Sequence, residues 1–169
     1  MSPKRFALAT LAGGITLFVL GFLVYGLALA DFFAANTVSG TDLIRDAPLF
    51  WAIGIGNLAL AALLTLVMGY WAKIARPGDG LKAGAIDGLK AGAIFGVLLG
   101  VAIGVTLYGA WNAFNLTATL ANVVLGTVRL ALGGAVIGAV LSKIAERDAP
   151  VTADTPPAAQ TSTTGEPGV

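Results

Sequence analysis

The sequence predicts an all-α integral membrane protein: a four-helix bundle with both termini cytoplasmic and a disordered C-terminal tail. Three observations carry that expectation. The chain of 169 residues is 57% hydrophobic and only 11% charged, with a mean hydropathy of +0.87, whereas a soluble domain carries about 25% charged residues. Four apolar runs are each long enough to cross a hydrocarbon core of about 30 Å at about 1.5 Å per helical residue. The basic residues gather on one side of those runs.

The runs are rich in Leu, Ala, Gly and Val and lack the strict alternation of outer-membrane barrel strands, so they read as helices. Residues 1–147 form the membrane domain, with helices at about 6–30, 50–72, 88–113 and 118–143. Residues 148–169, rich in Pro, Thr, Ala and Ser without an apolar period, read as a disordered cytoplasmic tail. The loop before the second run suits a short helix starting near Thr41 or Asp42.

Orientation follows from Lys and Arg. Lys4, Arg5, Lys73, Arg76, Lys82, Lys90, Lys143 and Arg147 fall on one side; the other has Arg45 beside Asp31, Asp42 and Asp46. Trp51 and Trp111 suit the outer interface, and Tyr70 and Trp71 the inner one. Ala28-Leu29-Ala30 resembles a signal-peptidase site. The apolar stretch before it is longer than a signal core of roughly 7–15 residues, so an uncleaved span is expected.

The third run carries a repeat. GLKAGAI at Gly80–Ile86 recurs at Gly88–Ile94, with Asp87 between. Glycine falls at every fourth position from Gly80 through Gly84, Gly88, Gly92, Gly96 and Gly100 to Gly104. Residues four apart share a helix face, and small residues there let another backbone come close. An insertion of eight is two steps of four, so a tandem duplication keeps the face in register. Gly92, Gly96, Gly100 and Gly104 are expected within the bilayer as a glycine zipper for helix packing, with the first copy at the watery end. A glycine-lined pore of several copies is the alternative to packing inside one bundle.

Arg129 stands near the middle of the fourth run, where a charge must face protein or a watery cavity. Asn115, Thr119, Asn122, Gly126, Arg129 and Gly133 are spaced 4, 3, 4, 3, 4, a seam of polar and small residues. Helical side chains lean toward the helix N-terminus, so Arg129 reaches outward. The expected polar pocket comprises Arg129, Asn122, Asn57, Thr106, Tyr108 and Tyr25. No Asp or Glu lies within a run, and Asp31 is the nearest counter-ion in sequence.

Chemistry is narrowly bounded. No Cys and no His are present, which leaves no thiolate or imidazole for catalysis or metal binding. Asp31, Asp42 and Asp46 read as solvated loop residues. No catalytic, cofactor or metal residues, and no enzymatic activity, are expected. A net charge of +1 gives no basic field for nucleic acid. The expected partners are the lipid bilayer and possible further copies of the chain.

GFLVYGLALADFFAANT at Gly21–Thr37, WAIGIGNL at Trp51–Leu58 and the polar fourth helix resemble small four-helix bacterial inner-membrane proteins of unknown function. The similarity spans about Lys4 to Ile144. It implies multi-pass placement in the bacterial cytoplasmic membrane and brings no substrate. Two functions remain open: a structural or interaction component of that membrane, and a small transporter or channel for an anionic or polar solute passing Arg129.

Overall fold

The computed structural model describes residues 1–38, 48–71, 80–110 and 114–149; of Trp71 only the backbone is described. Every regular element among them is a helix. Helix α1 runs from Pro3 to Ala28, its last turns wound as a π-helix from Phe22. Helix α2 is Ala30–Ala35, and α3 runs from Phe50 to Trp71, π-helical from Val67. Helix α4 is Gly80–Ala110, with a π-helical stretch at Gly100–Val105, and α5 is Leu116–Asp148. Four of these, α1, α3, α4 and α5, are long and apolar enough to cross a membrane. Consecutive spans reverse direction, so Met1 and Asp148 stand at the same end, here the terminal end; the opposite end is the distal end.

Local chemistry fixes the helix starts. Ser2 caps α1 by accepting the amide of Arg5 at 3.3 Å, and Pro3 takes the first helical position, where no donor is needed. Gly80 opens α4 with φ +74°, a left-handed conformation that costs glycine little. Asn115 caps α5 through Ala118 N at 2.9 Å.

Packing divides around α5. On one side α5 meets α1 and α3: Gly13 lies against Ile137 and Ala61, Gly14 against Leu58, and Gly133 against Leu17. Leu17, Leu64, Met68, Ile137 and Leu141 are fully buried there. On its other side α5 meets α4 backbone to backbone. A side chain built at Gly88 would strike the Gly134 carbonyl, and one built at Gly134 would strike the Gly88 carbonyl; Gly84 and Gly138 make the same reciprocal contact. Each glycine Cα–H bond thus points at a carbonyl of the opposite helix, an arrangement that supports weak Cα–H···O contacts.

The glycine contact between α4 and α5 is centred nearer the terminal end than Gly92–Gly104. The repeat's first copy is regular helix, and α4 begins at Gly80 rather than Gly88. Gly84, Gly88, Gly92 and Gly96 are buried, whereas a side chain at Gly104 would meet Val123 only at an ordinary 3.4 Å. The reason lies in α5, whose own small residues, Gly134, Gly138 and Ser142, sit toward its terminal end and draw the groove there.

Burial is concentrated in the terminal half. Past Leu17 in α1 and before Asn57 in α3 no residue is buried. Large apolar side chains stand outward all around, among them Ile15 at 58%, Ile55 at 62%, Leu98 at 63% and Val124 at 62% exposure. Such an exterior is stable against hydrocarbon and not against water. The expectations for a short helix near Thr41, for Trp111, for Asp42 and Asp46, and for the tail from residue 150 fall outside the described residues.

Candidate functional site: a polar cluster at Arg129

Arg129 sits where α1, α3 and α5 meet. Its Nη2 donates to Asn57 Oδ1 at 3.2 Å. Asn57 is 7% exposed and is held by its own Nδ2, which donates to the Ile53 carbonyl at 2.8 Å. The guanidinium carbon stands 5.8 Å from the centroid of the Tyr25 ring, within cation–π range. Tyr25 OH in turn donates to Asn122 Oδ1 at 2.8 Å. Tyr25 lies one turn beyond Gly21 toward the distal end, so the arginine leans outward as helical geometry requires.

Two backbone features make room for it. Gly21 lies beside Nη1, and a Cβ there would stand 3.0 Å from that nitrogen. Tyr25 belongs to the π-helical stretch Phe22–Ala28, whose i→i+5 turns are wider than α-turns and are frequent at functional sites. The Tyr25 ring is braced by Phe33 at a centroid distance of 5.3 Å. Above this layer, Asn115 Nδ2 donates to Asn36 Oδ1 at 2.7 Å and Asn115 N to Asn36 O at 3.2 Å. Those bonds tie the end of α2 to the start of α5.

Arg129, Asn57, Tyr25 and Asn122 are thus brought together, and Thr106 and Tyr108 are not. Both are exposed on α4 and neither bonds to Arg129. The physical reason is the seating of α4 on the other side of α5 from α1 and α3. The seam along α5 also divides: Asn122, Arg129 and Gly133 face α1, while Thr119 is buried and donates to the Asn115 carbonyl. Gly126 has no neighbour within 4 Å of where its side chain would be. Asp31 is exposed and forms no ion pair with Arg129. Gly134 and Gly138 escape a reading based on polar residues; their four-residue spacing is the signal that identifies them.

What the cluster can do is hold one positive charge in a half-buried place. Among the described residues Arg129 Nε is buried without a hydrogen-bond partner, as are the hydroxyls of Thr10, Thr65 and Ser142. A shallow, wholly apolar hollow of about 400 Å³ lies nearer the distal end, lined by Leu29, Phe32, Leu120, Ala121, Val124 and Leu125; it does not include Arg129. No protein-family profile, curated protein or solved structure matches the chain.

Proposed function

We propose that this multi-pass membrane protein is a non-catalytic structural or interaction component of the bacterial cytoplasmic membrane, with both termini on the cytoplasmic side. The observation that supports it most is the sealed layer at the terminal side of Arg129. Leu17, Leu64, Met68, Ile137 and Leu141 are each 0% exposed, and a solute passing Arg129 would have to part them. Asn57 and Tyr25 already engage the guanidinium from within the chain, so the charge acts as a clamp joining α1, α3 and α5.

A second reading, an anion pathway, is favoured by one observation: among the described residues Nε of Arg129 has no hydrogen-bond partner and no carboxylate pairs with this arginine. Replacing Arg129 by Leu separates the two. The structural reading expects loss of the folded protein, or a large fall in its unfolding midpoint, and no change in anion flux across reconstituted liposomes. A folded R129L variant that abolishes an anion flux carried by the native protein would overturn it in favour of transport.

A further inference from the structure

The depth at which α4 is seated exposes a feature its glycines do not explain. Gly134 of α5 packs against Gly88, and a side chain built at Gly134 would also meet Gly92. Across α5, Gly133 meets Leu17 and Ile137 meets Gly13. Residues 87–92 of α4 therefore stand level with Gly13–Leu17, halfway along the 26-residue span Pro3–Ala28. Asp87 and Lys90 lie at that level. They pair at 3.8 Å, with side-chain exposures of 52% for Asp87 and 68% for Lys90. On a helix of about 100° per residue, both project away from the Gly88–Gly92 face that α5 covers. An exposed ion pair thus stands level with the middle of α1, in the first half of α4, on the far side of the molecule. Hydrocarbon solvates neither charge, and ionisable groups at such depth normally face protein or water.

We propose that this face of α4 is the contact between two copies of the chain, seated on Asp87 and Lys90. The glycine face is already occupied by α5, so association through α4 must use the opposite side. Two copies related by a two-fold axis along the membrane normal oppose equal depths. Asp87 and Lys90 differ in height by only about 4.5 Å, three residues of helix, so Asp87 of each copy reaches Lys90 of the other. The pair is complementary to itself, which identifies a second copy as the occupant. Ile94 and Leu98 continue the same face toward the distal end, and at 61% and 63% exposure they are placed to pack against their counterparts.

This deepens the interaction role proposed above and rests on it. The chain contains no Cys, so a single introduced thiol reports one position. In membranes of cells expressing the full chain, Ile94→Cys and Leu98→Cys are expected to give an oxidised dimer, and Val124→Cys, exposed on α5, is not. Single-molecule photobleaching in vesicles at high dilution then counts copies. Asp87→Lys and Lys90→Asp each place like charges opposite one another and should weaken association on the order of tenfold; the double variant D87K/K90D should restore it. Equal cross-linking at all three positions, single-step photobleaching of the native chain, or a double swap that restores nothing would each overturn the proposal. Cross-links from Ile94→Cys to an unlike protein alone would overturn it too. The cysteine variants leave every charge in place, so the proposal remains refutable if the single swaps fail to fold. Anion flux in the same vesicles tests the structural reading separately, since a monomer without flux defeats the dimer and not that reading.

Discussion

Replacing Gly96 by Ala tests whether α4 and α5 are held by backbone approach. A Cβ built at Gly96 falls 2.5 Å from the Thr127 Cα, where ordinary contact begins at 3.4 Å. The obstructing atom is backbone and has no rotamer to escape into, so the helices must part locally by 0.9 Å, the difference between those two distances. A radial gap of about 0.5–1 Å already forfeits a quarter to a half of each dispersion well, and little hydrophobic drive exists in lipid to replace it. Overpacking of this kind costs about 1–3 kcal/mol. Ala in place of Gly returns about 1 kcal/mol of helix propensity, so the net loss is about 0–2 kcal/mol, while the controls below gain. Gly54→Ala and Gly126→Ala make the control, because a Cβ at either meets nothing among the described residues within 4 Å and only the propensity gain remains. Unfolding titrations in mixed micelles, followed by circular dichroism, measure all three. A Gly96→Ala protein as stable as the controls would refute backbone approach as the source of cohesion between α4 and α5.

The distal tie and the repeat give two further outcomes. Asn115→Ala removes the α5 cap and the one bond from its side chain to Asn36; a loss of about 1 kcal/mol in the same titration is expected, and no change would mean the cap is idle. Deleting Gly80–Asp87 removes one copy while leaving Gly88–Gly104 in phase, so the protein should still fold. Inserting a single Ala between Asp87 and Gly88 turns Gly84 by about 100° relative to the rest of the face. That insertion presents a residue with a Cβ to the backbone of Gly138 and should lower the midpoint more than the deletion does. A benign insertion beside a damaging deletion would contradict the phase argument.

The spans were legible because hydropathy over about 20 residues is a property of each helix alone. Part of the polar cluster was legible for a related reason: Asn57, Tyr25 and Arg129 are polar residues inside apolar runs, and buried polar groups seek each other. The neighbour of each helix was not legible. In lipid the outward side of a span is as apolar as its inward side, as Ile94 and Leu98 on α4 show, so no amphipathic stripe points to the right partner. Depth alone therefore groups Thr106 and Tyr108 with Arg129, although α5 stands between them. The seam on α5 erred for a geometric reason. Thr119 and Arg129 share a heptad pattern, yet they sit about 80° apart around an α-helix of about 3.6 residues per turn, enough for one to turn toward α4 and the other toward α1.

The length of the repeat has its counterpart in α5. An α-helix of about 20 residues suffices to cross the hydrocarbon, yet α4 spans 31 residues and α5 33. Without its first copy α4 would start near Gly88, opposite Gly134, and Gly138 and Ser142 would lose the glycines they now face. Eight added residues extend α4 by about 12 Å and carry its start to within reach of the last turns of α5, where a side chain at Gly80 would stand 3.9 Å from Glu146 Oε1. Any length that is not close to a multiple of a turn would have rotated the new glycines off α5. Lys90 belongs to the second GLKAGAI segment and Asp87 joins the two, so the ion pair sits where the copies meet, on the face of α4 that α5 leaves uncovered. The repeat thus bears on two contacts: its first copy supplies Gly84 to the pairing with Gly138 inside the chain, and the junction carries the charges on which the proposed contact between copies would turn.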